Sequence, residues 1–480
     1  MMVTRLGRAN RIPLYSELAA NLGALIENGA LRPGDRMPSV RRSSFQNNVS
    51  VTTTVQAYLA LENNGLIEAR PRSGFFVRYR PRQVLSEPQI SRPDGRSRGK
   101  EPLSLLTEVL DAVNAGGVVQ LGAGSPSVEL FPVQKLNRML ASAARRSGAA
   151  GLEYAMQQGC LPLRRALARR AMDWGATISP EDIIVTNGGM EALVLALRAV
   201  TKPGDAVAVE SPTHFGFIDA LEQLGLKAIE IATHPREGLC LDSLERALRS
   251  RRISACLAIP NFNNPLGSLM PDKAKRRLVS MLAERDIPLI EDDLNGDLHF
   301  EGTRPSVAKR FDKEGNVLLC GSFSKTLAPG YRIGWLIPGR FFTRAKSLKS
   351  ASSGATATLP QLALADYLAN GGYDHHLRGL RAALKRQVEQ VSHAVAESFP
   401  AETRITRPTG GFVLWVELPA HIDAVPLHKR ALAQNISIAP GPMFSPDQGF
   451  RNFIRLSCGR PWSREIERAI VTLSVLVLRQ

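Results

Sequence analysis

The sequence lacks the marks of several large protein classes. Its 480 residues hold only five cysteines, Cys160, Cys240, Cys256, Cys320 and Cys458. None forms a C-x-x-C pair or joins a His/Cys cluster, which argues against zinc ligation and a disulfide framework and fits a reducing compartment. The simplest expectation is that all five are small buried hydrophobes. No apolar run approaches the roughly 18–20 residues that a membrane-spanning helix needs. The opening stretch, MMVTRLGRANRIPLYSEL, has no apolar leader core, so the expected compartment is the cytoplasm, with no membrane partner. No internal repeat is visible. Acidic residues are in deficit, 44 Asp and Glu against 61 Lys and Arg, for a formal net charge of +17. What is present, 44% hydrophobic and 22% charged residues, is ordinary globular composition. The length suggests roughly two to four domains.

The charge is not spread evenly. Residues 1–100 carry 16 Lys and Arg against 7 Asp and Glu, about half the excess in a fifth of the chain. Net charge reports on partners, not on fold. Its concentration at one end is the footprint of a nucleic-acid-binding head. Three zones follow from composition. Residues 1–80 read as helices followed by a short hairpin. Residues 81–104, rich in Pro, Arg and Ser, have a linker composition. Residues 105–480 alternate apolar strands with helices, the rhythm of a mainly parallel sheet.

In the head, Leu14, Leu18, Leu22, Leu25 and Ile26 recur at helical spacing, with Gly29 as a stop. Ser39 is placed to cap a short helix to about Gln46, and Asn47-Asn48 makes a turn. Ser50 caps the next helix, whose inner face includes Ala57, Tyr58 and Leu61. LIEARPRSGFFV reads as two short strands around Arg72-Ser73-Gly74, a wing. In a helix-turn-helix the second helix enters the major groove while neighbouring elements hold phosphates. Thr52, Thr53 and Gln56 face outward to meet base edges or thymine methyls. Arg36, Arg41, Arg42, Arg70 and Arg72, with the hydroxyls of Ser39 and Ser50, complete the expected DNA-contacting set. The ordered text PGDRMPSVR, T-x-x-A-Y and ARPRSG resembles the GntR family of winged-helix repressors over almost all of residues 12–77. Two departures stand out: Val51 replaces the Arg that members often carry after the Ser of the recognition helix, and Arg42-Ser43-Ser44 replaces E-L-A.

The body carries a second set of motifs. The strand IIVT runs into Asn187-Gly188-Gly189-Met190 and a helix, a turn that points backbone N–H groups at an anion. AVAVE leads to His214 and Phe215, flat side chains at a strand end. Asn264 stands before Pro265 and Gly267 in a turn. Asp292 sits at the end of a buried strand, where a carboxylate needs a cationic partner. VLLCGSFSKTLAPGYRIGW supplies Ser322, Ser324, Lys325 and, seven residues on, Arg332, a side chain suited to bidentate phosphate binding. Pyridoxal 5′-phosphate needs these parts: an amine for the Schiff base, a carboxylate for the pyridinium, and a glycine turn, hydroxyls and a guanidinium for the phosphate. No metal is called for.

In order, YAMQQGCLPLR, TNGGMEAL, ESPTHFG, NNPLG, EDDLNGDL, SFSK, YRIGW, APGPMFS and FIRLSCG resemble fold-type I aminotransferases of class I/II over about residues 119–480. The resemblance implies an α/β body, with a mainly parallel central sheet flanked by helices and a small C-terminal α/β subdomain. It implies that Lys325 forms the Schiff base, Asp292 pairs the pyridinium and Asn264 bonds the ring oxygen. Gly188, Gly189, Met190, Ser322, Ser324 and Arg332 would line the phosphate site, and His214 takes the stacking position. Arg455 would grip a substrate or effector carboxylate. Tyr154 of the partner subunit would reach the phosphate, which implies a homodimer. Asn295 departs from the pattern, standing where many relatives have a tyrosine on the ring oxygen. Head and body together resemble the MocR-type subfamily of GntR regulators. That implies a cofactor-dependent DNA-binding transcriptional regulator whose body senses pyridoxal phosphate or an amine or amino acid effector. The alternative is an active aminotransferase with an accessory head.

Overall fold

The computed structural model describes residues 13–70, 73–78, 85–93, 107–109, 111, 116–155 and 157–479. The chain divides into two compact units between residues 84 and 85.

The first unit is built on three helices, α1 (Leu14–Glu27), α2 (Val40–Gln46) and α3 (Val51–Asn63), and a hairpin of β1 (Ile67–Arg70) and β2 (Gly74–Val77). The two serine caps form as their sequence position predicts. Ser39 Oγ accepts from the Arg42 N–H at 3.2 Å and Ser50 Oγ from the Thr53 N–H at 3.0 Å. Leu18, Leu22, Met37, Ala57, Tyr58, Leu61, Ile67 and Val77 close the core. Leu14 and Leu25, which share the helical spacing of α1, lie exposed. The less apolar α2 buries only Ser43. The backbone around Arg36 pairs with β2, so the wing gains a third short strand.

In the second unit, the sheet carries β4 (Ile184–Asn187), β5 (Ala206–Ser211), β6 (Lys227–His234), β7 (Gly238–Leu239), β8 (Ala255–Ala258), β9 (Leu289–Asp292), β10 (Val317–Ser322) and β11 (Ile333–Ile337) after a short β3 (Val119–Gln120). Its order is β4-β11-β10-β9-β8-β5-β6-β7. The core strands β6, β5, β8, β9 and β10 are parallel, and β11 runs antiparallel between β10 and β4. These strands are almost wholly buried, as a sheet covered on both faces requires. A smaller antiparallel sheet, β12 (Arg404–Ile405), β13 (Val413–Glu417), β15 (Ala439–Pro440) and β16 (Phe453–Ser457), has its own core with Leu414, Leu456, Ile470 and Leu473. The pair β3 and β14 (Ile436–Ser437) joins the N-terminal edge of the body to it.

Two expectations need correction. Residues 85–93 are not free linker but a strap on the body. Leu85 is buried in the small-sheet core, its carbonyl accepts from Arg407, and Ser91 exchanges two hydrogen bonds with Thr233. One leucine and local backbone pairing outweigh the polar composition. Of the five cysteines only Cys256, Cys320 and Cys458 are buried, while Cys160 and Cys240 sit half-buried at helix starts. Among the described residues no helix is long and apolar enough to cross a membrane.

Candidate functional site

The site lies where parallel strands end, the position that open α/β sheets offer to ligands. Strand β4 ends on Asn187, β5 leads to His214, β8 to Asn264, β9 ends on Asp292 and β10 leads to Lys325. The register sets Asp292 opposite Cys320, two residues before Ser322.

One end is built for an anion. Gly188 has φ 81° and precedes the helix Gly189–Val200, whose first N–H groups face outward from the turn. A Cβ on Gly188 would stand 2.4 Å from Arg332 Nη2, so only glycine lets the guanidinium approach. Arg332 itself adopts left-handed backbone, φ 53°. Its guanidinium donates to the carbonyls of Asn187 at 3.3 Å and Pro329 at 3.4 Å, and to Ser324 Oγ at 3.5 Å. The Ser322 and Ser324 hydroxyls are 2.8 Å apart. Met190 lies in the first turn of the same helix, partly exposed, with its sulfur close to Gly216. Glu191 would repel an anion here, but the buried Lys349 donates to it at 2.7 Å and holds its carboxyl below the ordinary range.

The other end is built for a carbonyl and a ring. Lys325 Nζ donates to the Gly124 carbonyl at 2.5 Å. Burial, with Arg455 and Arg332 nearby, lowers its amine to about 8 against the pull of Asp292. Asp292 is buried, accepts from the Leu294 N–H at 3.0 Å, and is pushed up to about 7, chiefly by burial. His214 caps the helix Phe215–Gln223 by accepting from the Gly216 N–H, and its ring stacks at 4.4 Å on Phe215. Burial, Lys325 and Arg455 drive its imidazole down to about 3, so it stays neutral. Asn264 accepts from Arg455 Nη1 at 3.1 Å, which leaves its amide N–H groups as donors. Asn295 donates to the Phe262 carbonyl at 2.9 Å, and its own Oδ1 is buried without a partner among the described residues.

Arg455 is 1% exposed. Besides Asn264 it donates to the Gly122 carbonyl at 2.6 Å, while its Nε has no partner among the described residues. Burial lowers its guanidinium to about 10. The structure thus brings Gly188, Gly189, Ser322, Ser324 and Arg332 together, and Lys325, Asp292, His214, Asn264 and Arg455 together. Tyr154 stands apart, 95% exposed. In the head, Arg36, Arg41 and Arg42 are exposed. Arg70 is committed within the wing, paired to Glu68 and stacked at 4.2 Å on Phe76. Arg72 lies outside the described residues.

Sequence reading missed three groups. The carbonyls of Gly122 and Gly124 hold Arg455 and Lys325, and the G-x-G of LGAGSP was the available signal. Glu210, wholly buried, accepts from the Ile259 N–H and is raised by burial, with the charge of Asp292 adding to the rise. A charged chain of Asp293, Arg304 and Asp297 leads through Tyr373 to Thr326.

These residues fit pyridoxal phosphate. The cradle at Gly188 admits a guanidinium but no Cβ, and Asp292 is a buried acid that accepts one backbone hydrogen bond and stays raised to about 7 although Lys325 is near. A winged head on a pyridoxal-phosphate-type body defines a class of fused regulators.

Comparison with known proteins agrees. Residues 117–473 match the aminotransferase class I and II family and residues 14–77 the bacterial regulatory proteins of the gntR family. An uncharacterised HTH-type transcriptional regulator of Escherichia coli, YdcR, is 39% identical over 463 residues, covering 96% of this chain and 98% of the relative. Among solved structures, the α-aminoadipate aminotransferase LysN of Thermus thermophilus, complexed with N-(5′-phosphopyridoxyl)-L-leucine, superposes with a TM-score of 0.72. It is 29% identical over 80% of this chain and 96% of LysN. The kynurenine aminotransferase of Pyrococcus horikoshii, determined with PMP, gives a TM-score of 0.73 at 28% identity, covering 81% of this chain and 96% of the enzyme. The chain belongs to the aminotransferase class I and II family and, over 96% of its length, to the GntR-headed regulators of MocR type.

Proposed function

We propose that this chain is a cytoplasmic transcriptional regulator whose head binds operator DNA and whose body carries pyridoxal phosphate on Lys325 and responds to an amine or amino acid. The observation that carries the reading is the union, in one chain, of a GntR-type head with Lys325, Asp292, Arg332 and the Gly188 turn assembled at strand ends. When bound, the cofactor supplies an electron sink and an electrophilic carbon.

The chain's own residues do the rest. Lys325, with its amine lowered to about 8, has a substantial neutral fraction at physiological pH, the form that adds to a carbonyl. Asp292, raised by burial, becomes a stable carboxylate once a cation faces it. Arg332, the two serines and the helix N-terminus hold a dianion. Arg455 offers a guanidinium to an effector carboxylate on release from Asn264 or Gly122. For the effector to act on the head, it must bind two states of the protein with different free energies. The exposed Tyr154 and Leu152 support a homodimer in which Tyr154 of the partner subunit completes the phosphate site.

The test is spectroscopic. The purified chain should absorb in the near-visible range. Lys325→Ala should lose that absorbance while keeping its melting temperature and its affinity for duplex DNA. A chain with no such absorbance, unchanged by added pyridoxal phosphate, would leave the body as a scaffold only. Steady turnover of about 1 s⁻¹ or more with amino acids and 2-oxoglutarate would instead mark an enzyme.

A further inference from the structure

The outward face of the first ten residues of α3 carries no charge, and we infer that it reads the C5-methyl groups of thymine in the major groove, with Val51 as the specificity-determining side chain. The inference rests on the DNA-binding reading of the head and adds which base pairs are recognised.

The helix dictates the face. Thr54, Ala57, Tyr58 and Leu61 point inward. With 3.6 residues per turn, Thr52, Val55, Gln56 and Leu59 then point outward, and Val51 opens the N-terminal end. Val51, Val55 and Leu59 are 50%, 37% and 46% exposed. The first ten residues of the helix, VTTTVQAYLA, contain no acid or base.

Hydroxyl readout is also reduced. Thr53 Oγ1 is engaged with Ser50 Oγ at 2.8 Å, and Thr54 Oγ1 donates to the Ser50 carbonyl at 3.2 Å. Thr52 and Gln56 are left as the polar members of the face. Cationic charge surrounds this helix instead of lying on it. Arg41 and Arg42 project from α2, and Arg36 from the wing edge, all exposed.

That pattern complements a duplex. Phosphates line the groove rims, where arginines neutralise them, and base edges form its floor. On that floor the thymine methyl is the apolar group. A G·C pair presents the N7 and O6 acceptors and the N4 donor, and a valine pressed on them leaves desolvated groups unpaired, at a cost. Gln56, about one turn beyond Val51 and Thr52, carries the amide that matches adenine N6 and N7, the base opposite thymine. One stretch of helix thus supplies both halves of A·T recognition.

The experiment uses the full chain to select from a random duplex pool. The enriched duplex is then remade with uracil for thymine, which removes only the methyl. Enriched half-sites should hold A·T pairs. Uracil should weaken binding about fourfold per methyl read, the factor equivalent to about 0.8 kcal/mol for a methylene-sized group. Val51→Ala should shrink the preference for the thymine duplex, and Val51→Arg should move the selection toward guanine. Val51 is half exposed, so neither change empties a core.

Enrichment of G·C pairs, equal binding of thymine and uracil duplexes by the unsubstituted chain, or an unchanged ratio in Val51→Ala overturns the inference. The last is the result expected if the stripe seats another protein. Binding to the pool without enrichment overturns base reading but keeps DNA binding. Failure to bind any duplex at low salt overturns the DNA-binding reading itself.

Discussion

Lys325 is a nucleophile only while its amine is neutral, so its surroundings set the pH at which the body can load. Burial and two arginines lower it to about 8 from an ordinary lysine value of 10.5. The rate at which the cofactor-free chain gains near-visible absorbance on adding pyridoxal phosphate should therefore rise with pH and level off above about 8. A rise that continues past pH 10 would mean an ordinary lysine. Gly188 sets a second test. Alanine there meets both a φ of 81° and a methyl 2.4 Å from Arg332 Nη2. Gly188→Ala should displace the guanidinium and weaken cofactor affinity at least tenfold by equilibrium titration, a loss of about 1.4 kcal/mol or more. Residues of this kind are legible in sequence because chemistry restricts their type: an amine, an acid, a guanidinium, a glycine. The carbonyls of Gly122 and Gly124 were marked only by the G-x-G of LGAGSP, because an acceptor on the backbone leaves no side-chain signature of its own. Lys325 reaches its own acceptor across 201 positions of chain.

At the scale of elements, the caps and strands were legible because they follow local rules, as Ser39 and Ser50 show. What ties elements together was not. The residue after Asp292 and the residue after Lys325 are joined by a relay. Asp293 takes Arg304, Arg304 donates to Asp297 at 2.7 Å, Tyr373 donates to Asp297 at 3.0 Å, and its hydroxyl lies 2.8 Å from Thr326. Tyr373 belongs to the long helix Gly372–Ser398, so the relay anchors that helix beneath the lysine turn. Tyr373→Phe keeps the buried ring and removes only the hydroxyl. It should cost about 1–3 kcal/mol of stability, because Asp297 and Thr326 lose a partner in a buried setting. Chemical denaturation measures this. An unchanged midpoint would show that the hydroxyl holds nothing. The strap at residues 85–93 was misread for the same reason: composition reports average polarity, while Leu85 and the two hydrogen bonds between Ser91 and Thr233 decide where the chain lies.

At the scale of the whole molecule, the body buries more acid than its free form can ionise cheaply. Burial raises Glu210 to about 8, and Glu230, Glu291 and Asp292 to about 7. In the unfolded chain these carboxyls have lost their protons well below pH 6.5. Between about pH 6.5 and 8 the folded state therefore binds more protons than the unfolded state, and stability must fall as pH rises. Below that window the acids keep the same sign down to their unfolded values, and histidines oppose them. His214, held neutral to about 3, and His299, His376 and His428, all lowered by burial, protonate more readily once unfolded. The cofactor-free chain should thus lose melting temperature steadily from pH 6.5 toward pH 8. Glu210→Gln, which replaces a wholly buried acid with a neutral isostere, should flatten that decline. Pyridoxal phosphate should stabilise more at pH 8 than at pH 6, because there Asp292 and Lys325 already have the charge states that the cofactor requires. Calorimetry at pH 5, 6.5 and 8, with and without cofactor, separates these effects. A cofactor-free melting temperature that stays level or climbs from 6.5 to 8 would show that the buried acids are ionised in the fold, and that Asp292 has found its cation within the protein.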